Sequence, residues 1–189
     1  LEVRAPQRVP LMTVMTTISS HAPFRPIPPY LPDWQALLDA QPYPAVAAVK
    51  GPHSGEAGTM AADYIAAIDY GLTYIAGYLK HRGDDDLVLI VIGDHQPPAR
   101  VSGPGASWDV PVHVVTANLD LLELLNAEGF SEGLEPPGTS LGPMHELAAR
   151  LLRIFDGTPD SSRPHAVSDA PSAARLQSRV DVAGAVISR

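Results

Sequence analysis

The chain has 189 residues and no cysteine; its formal net charge is -8 at pH 7, with 45% hydrophobic and 18% charged residues. This length and composition predict a globular domain with a core of its own. The negative charge argues against a nucleic-acid partner held through its phosphates, and the lack of cysteine excludes disulfides and thiolate chemistry within these residues. No run approaches the ~20 apolar residues that a membrane span needs.

The first predicted strand covers Val9 to Ser19, where β-branched residues and methionines are concentrated. His21 follows within the segment Ser-His-Ala-Pro-Phe, so a histidine stands just after a strand. A loop histidine that bonds the backbone is the simpler interpretation of His21, and a place in a functional site is the alternative. The proline-rich residues 25–32 predict an extended loop.

A long helix and a buried strand form the predicted centre of the chain. Apolar residues at spacings of three and four predict a helix from Thr59 to His81. Leu87 to Ile92 are six consecutive apolar residues, which is typical of a strand buried on both faces of a parallel sheet. A helix that leads into such a strand is half of a right-handed βαβ unit.

Asp94 and His95 follow this strand after Gly93. In open α/β sheets, ligands bind at the carboxyl ends of the strands. A carboxylate and an imidazole side by side at that position are two metal ligands or an acid/base pair. The alternative is that the pair caps a turn.

The remaining elements lie between Val110 and the end of the chain. Val110 to Thr116 predicts a further strand that contains His113, for which an interior hydrogen-bonded histidine is the simpler interpretation and a ligand the alternative. Apolar spacing predicts helices over Leu119 to Glu128 and Met144 to Phe155. Residues 158–189 are rich in Ser, Pro, Ala, Asp and Arg and predict a weakly ordered tail.

In this order, the motifs resemble the sulfatase-like branch of the alkaline phosphatase superfamily, above all the lipoteichoic acid synthase or phosphoglycerol transferase type. The resemblance rests on Thr-Thr-Ile-Ser-Ser-His-Ala-Pro-Phe, on the tyrosine-containing helix, on Leu-Val-Leu-Ile-Val-Ile-Gly-Asp-His and on Asp-Val-Pro-Val-His-Val-Val. It covers roughly Val9 to Gly157. It implies an α/β fold, a three-layer sandwich with a mixed, mostly parallel sheet. Residues 1–157 would be the carboxyl-terminal portion of that catalytic domain, incomplete at its amino-terminal side.

The resemblance also implies roles for individual residues. Asp94 and His95 match the family's paired ligands to a divalent metal, usually manganese or zinc, with magnesium or calcium as alternatives. His21 matches an active-site histidine that contacts the phosphate or head group of the substrate, and it could protonate a leaving oxygen. His113 is a second candidate for substrate binding. The metal would polarise a phosphoryl or sulfuryl oxygen.

The implied function is metal-dependent hydrolysis or transfer of phosphate or sulfate esters, including phosphoglycerol or phosphoethanolamine transfer and phosphodiester hydrolysis. The substrate could carry a lipid head group, and the family's catalytic domains face outward from the cell membrane. The family places its nucleophile and an acidic ligand well before the His21 segment. Thr16 and Thr17 lie inside the predicted strand and are poor candidates, so no nucleophile is predicted here. We expect an inactive fragment whose missing part supplies the nucleophile, further ligands and a membrane anchor.

Two other functions stay open. The chain could be a non-catalytic pseudoenzyme or interaction domain of the same fold, which loss of metal affinity would favour. It could also be an unrelated α/β hydrolase with a Ser-His-Asp set. The chain has two Gly-x-Ser-x-Gly segments, Gly129–Gly133 and Gly138–Gly142. That alternative is disfavoured because both lie in the Pro/Gly-rich stretch after the helix that ends at Glu128, and neither follows a predicted strand.

Overall fold

The structure is a computed structural model that describes residues 11–39, 57–82, 87–157 and 181–188. Within these residues it contains four α-helices and one sheet of five strands. The chain divides into two units, Leu1–Ala76 and Gly77–Arg189, and the division falls inside the first helix. Residues 158–180 of the predicted tail lie outside the described residues.

The elements follow one another from α1 to β5. They are α1 (Ala57–Arg82), β1 (Val88–Ile92), α2 (Ala99–Ser102), β2 (Val110–Thr116), α3 (Leu119–Ala127), β3 (Ser131–Glu132), β4 (Ser140–Pro143), α4 (Met144–Phe155) and β5 (Asp181–Ser188). Helices α1, α3 and α4 and strands β1 and β2 confirm the corresponding predictions. A short 3-10 helix spans Ala36–Leu38, in a stretch whose sequence is also compatible with a short α-helix.

The predicted first strand is wrong for the residues that the structure describes. Residues 11–18 have no regular secondary structure, and the chain turns at residues 19–23. Leu11, Met15 and Ile18 are exposed, so apolar β-branched composition alone does not place a segment in a sheet. Strand formation also needs a pairing partner, which composition does not reveal.

In the first unit, residues 24–34 lie along α1. Phe24 is buried and its ring meets the edge of Tyr64 at a centroid distance of 5.3 Å. Arg25 donates from Nε to Asp63 at 2.6 Å. Further along, Tyr74 is surrounded edge-on by the rings of Tyr30, Trp34 and Tyr70. Tyr64, Tyr70 and Tyr74 of α1 therefore serve packing, and burial raises the pKa of the Tyr64 phenol.

The sheet of the second unit overturns the predicted fold class. The strand order is β1-β2-β5-β3, and β4 also pairs with β5. The pairings β1–β2, β2–β5 and β3–β5 are antiparallel, and the short β4–β5 contact is parallel. The second unit is thus α+β rather than a three-layer sandwich with a mostly parallel sheet. Parallel neighbours need a long crossover, whereas the only helix between β1 and β2 is the four-residue α2.

Strand β1 is also not buried on both faces. Among the described residues it is the edge strand of the sheet, and Val88, Ile90 and Ile92 are 41%, 37% and 43% exposed. Because β1 and β2 are antiparallel, the half βαβ unit predicted from α1 and β1 is wrong as well. The general rule that ligands bind at the carboxyl ends of parallel strands therefore gives no support to a site here.

The core lies between one face of the sheet and helices α3 and α4. It consists of alternate residues of β2 and β5 and of the apolar stripes of both helices: Val110, Val112, Val114, Ala183, Ala185, Ile187, Leu121, Leu122, Leu125, Leu147, Leu151 and Ile154. The period of two in the strands and of three to four in the helices brings these side chains onto facing surfaces. Asn118 caps α3, because its side chain accepts a hydrogen bond from the Leu121 N–H at 3.1 Å.

Strand β5 was not predicted as a strand. Residues 181–188 fell within the predicted tail, yet they pair with every residue of β2 in antiparallel register. Gly184 lies opposite His113, and a Cβ there would come within 3.1 Å of the Gly133 carbonyl oxygen and 3.2 Å of His113 Cδ2. Because glycine has no Cβ, the Gly133 carbonyl and the His113 imidazole can lie directly against the β5 backbone at this position.

No helix among the described residues combines the length and apolar character that crossing a membrane requires.

Candidate functional site

Asp94 and His95 form a turn directly after β1, in the second unit. Asp94 Oδ1 accepts a hydrogen bond from the backbone N–H of His95 at 2.9 Å. Asp94 Oδ2 lies 3.3 Å from His95 Nε2, and the two side chains are 82% and 44% exposed. One carboxylate oxygen thus caps the turn, as the alternative interpretation predicts, while the other oxygen lies 3.3 Å from the imidazole at the surface.

The hydrogen bonds of His95 define which nitrogen is open. Its Nδ1 lies 2.8 Å from the backbone carbonyl oxygen of Gln96. A carbonyl only accepts, so Nδ1 carries the proton in this contact and Nε2 is left with its lone pair when the ring is neutral. That lone pair and Asp94 Oδ2 face one another, and either a proton on Nε2 or a metal cation satisfies both.

The turn is fastened to the start of β2 at both of its ends. The Gly93 N–H donates to the Pro111 carbonyl at 3.1 Å, and the Gln96 side-chain amide donates to the Asp109 carbonyl. A Cβ on Gly93 would lie 3.3 Å from Val110 Cβ, so a larger residue would push β2 away from the turn. Asp94 and His95 are therefore carried by a short segment held against a buried strand.

His21 lies in the first unit, in the turn of residues 18–24. Its N–H donates to the Ile18 carbonyl at 2.9 Å, and its own carbonyl accepts from the Phe24 N–H at 3.0 Å. The ring is exposed, with Nδ1 2.7 Å from the Ala22 carbonyl oxygen. By the same reasoning as for His95, the neutral ring presents the lone pair of Nε2 to solvent, where it can accept a hydrogen bond.

His113 lies within β2, as predicted, and its Nε2 is 2.8 Å from the Leu134 carbonyl oxygen. Nε2 is therefore the donor, and the imidazole ties the loop after β3 to the centre of the sheet. This contact favours the interior, hydrogen-bonded interpretation of His113 over substrate binding.

The donor set fits half of a metal site. Across the described residues, no group of three or more His, Asp or Glu side chains comes together so as to hold a metal ion. Asp94 and His95 thus offer one carboxylate oxygen and one imidazole nitrogen, a pair that suits manganese or zinc better than magnesium or calcium. The remaining positions would be filled by other donors.

Comparison of the chain with protein-family models, with curated proteins and with solved structures found no match.

A surface depression at the end of α4 involves none of the predicted site residues; it is lined by Leu152, Arg153, Phe155 and Asp156. Gln96 is the residue near the Asp94–His95 turn that sequence reasoning missed. Its only signal is its place between Asp-His and Pro-Pro, because its partner is a backbone carbonyl thirteen residues further on.

Proposed function

We propose that this chain is part of a metal-dependent hydrolase or transferase that acts on phosphate or sulfate esters, with Asp94 and His95 as two ligands of a divalent cation. The sequence resemblance to the sulfatase-like phosphoglycerol transferases suggests the reaction class. The local geometry of the turn supports the metal independently of any fold-level analogy.

The observation that carries the proposal is the 3.3 Å between His95 Nε2 and Asp94 Oδ2. Two donors bound to one zinc ion at about 2.0 to 2.2 Å are about 3.4 Å apart at a tetrahedral angle and about 3.0 Å apart at an octahedral one. The pair therefore stands at the spacing of adjacent ligands. Because Nδ1 is engaged by the Gln96 carbonyl, the ring also has the tautomer that binds metal through Nε2.

Each residue has a defined part in the proposed chemistry. A bound cation supplies charge that polarises a phosphoryl or sulfuryl oxygen. Asp94 contributes negative charge to the cation, and His95 contributes a neutral nitrogen of fixed orientation. For His21, which lies in the first unit, the resemblance alone suggests contact with a phosphate or head group. We assign no nucleophile in this chain, and we expect no turnover of phosphodiesters by these 189 residues alone.

The proposed substrate is a phosphate or sulfate ester, including one on a lipid head group, and the proposed location is the outer face of the cell membrane. Manganese and zinc are the proposed metals. These proposals follow from the resemblance together with the donor chemistry of Asp94 and His95.

Substitution of either ligand tests the metal site. Asp94→Asn and His95→Gln are each expected to weaken Mn²⁺ binding at least tenfold, because the first removes the carboxylate charge and the second removes the imidazole nitrogen. Binding is measured by the electron paramagnetic resonance signal of free Mn²⁺ during titration of the chain.

His145→Gln is the matched control. His145 and Glu146 are also adjacent, but their Nε2 and Oε1 atoms are 4.0 Å apart and both side chains are well exposed, so this change should leave Mn²⁺ affinity unaltered. Equal affinity in the wild type and both ligand variants would contradict the proposal.

A non-catalytic interaction domain is the second candidate, favoured by strand β1. Within the described sheet, β1 lies at the edge, where its outward backbone N–H and C=O groups can pair with a strand of another chain. Three of its aliphatic side chains are also exposed. Loss of Mn²⁺ affinity even when the full-length gene is expressed would favour this second function.

A further inference from the structure

We propose that Gln96 is a positioning residue, which fixes the ring orientation and tautomer of His95 and so presents Nε2 beside Asp94 Oδ2. This inference rests on the proposed metal site and deepens it. It does not need metal to be tested, because orientation and tautomer are properties of the turn itself.

Gln96 joins two contacts in one residue. Its backbone carbonyl is 2.8 Å from His95 Nδ1, and its side-chain amide donates to the backbone carbonyl of Asp109, just before β2. The carbonyl that orients His95 is therefore held in place by the side chain of the same residue. Its half-buried position shields this amide contact partly from water.

The sequence after Gln96 explains why a side chain takes this role. Pro97 and Pro98 have no N–H, so the backbone there offers no donor toward β2. At the other end of the turn, Gly93 fastens the chain with its own backbone N–H. The Gln96 side-chain amide thus donates a hydrogen bond at the second end of the turn, as the Gly93 backbone N–H does at the first end.

The consequence concerns the metal-binding nitrogen. When Gln96 is fixed, Nδ1–H has an acceptor at hydrogen-bond distance, and Nε2 keeps the lone pair that faces Asp94. Without the amide contact, the Gln96 carbonyl can turn away from the ring. The Nδ1–H tautomer then loses its acceptor, whereas a proton on Nε2 still has the Asp94 carboxylate 3.3 Å away, so part of the population blocks Nε2 with a proton.

The test uses the whole chain with Gln96→Met, which keeps the side-chain size and removes the donor. Nitrogen-15 spectra of the metal-free protein, recorded where the imidazoles are neutral, should show one tautomer of His95 in the wild type and a mixture in the variant. Mn²⁺ affinity should fall about tenfold, as is usual when the partner of a metal-binding histidine is lost. Gln96→Glu, an isosteric change whose carboxylate cannot donate, should give the same mixture of His95 tautomers.

Gln35→Met, at an exposed position of the first unit, is the matched control and should leave both readouts unchanged. An unchanged His95 tautomer and unchanged Mn²⁺ affinity in both Gln96 variants would overturn the inference. If the tautomers mix in both variants while even the wild type binds no Mn²⁺, Gln96 is confirmed as a positioning residue and the proposed metal function fails.

Discussion

Replacement of Arg150 by methionine is expected to destabilise the chain by about 3 to 5 kcal/mol, because it removes the buried guanidinium that lies against the Glu128 carboxylate. The side chains of Arg150 and Glu128 are only 9% and 7% exposed, and Nη1 lies 3.4 Å from Oε2. Nη1 also donates to the Glu128 carbonyl at 3.1 Å and Nη2 to the Leu141 carbonyl at 3.0 Å. The guanidinium therefore joins the end of α3 to β4 from its place on α4.

Urea unfolding followed by circular dichroism measures this effect as a fall in the unfolding midpoint. The double variant Glu128→Gln, Arg150→Met is the control, since it removes the buried negative charge together with its partner. It should recover a large part of the lost stability. A single Arg150→Met variant with the wild-type midpoint would show that the pair is not buried as described.

Leu125→Ala is the second change with a large expected effect, a loss of about 2 to 5 kcal/mol in the free energy of unfolding. Leu125 lies on the buried face of α3 and is 0% exposed, so truncation leaves a cavity between the helix and the sheet. Thermal or urea unfolding of the purified variant measures the loss.

Leu119→Ala, in the same helix, is the matched control. Leu119 is 57% exposed, and its truncation should change the free energy of unfolding by about 0.5 kcal/mol or less. Equal losses for the two leucines would contradict the position of α3 against the sheet.

The helices were predictable because their signals are local. In α3, the apolar stripe that predicts the helix lies within one short window of sequence, directly after Asn118, whose side chain caps the helix in the structure. The same holds for α4, whose observed bounds are those predicted. Spacing at three and four residues depends on nothing outside the helix itself.

The sheet was not predictable in the same way, because pairing is decided between distant segments. Six apolar residues at Leu87–Ile92 suit a central parallel strand and an edge antiparallel strand equally well. Strand β5 was missed because its centre, Ala183, Gly184 and Ala185, has low strand propensity by itself. These small residues are buried against β2 and its neighbours, which only the folded arrangement reveals.

The candidate site shows the same division. Asp94 and His95 were identified because they are adjacent in sequence and follow a strand. Two other contacts join residues far apart in the chain: the Gln96 amide to the Asp109 carbonyl, and the His113 imidazole to the Leu134 carbonyl. No spacing pattern in the sequence predicts them. The second of these contacts gives His113 a structural partner.

The most direct test of the proposed metal site is to locate bound Mn²⁺ on the chain by its paramagnetic broadening of NMR signals. At substoichiometric Mn²⁺, we expect the imidazole signals of His95 and the backbone amides of Asp94 and His95 to broaden first, because these donors stand 3.3 Å apart at the surface. Those of the looser His145–Glu146 pair should remain sharp. Broadening centred on His145, or none at the Asp94–His95 turn, would contradict the assignment of Asp94 and His95 as metal ligands.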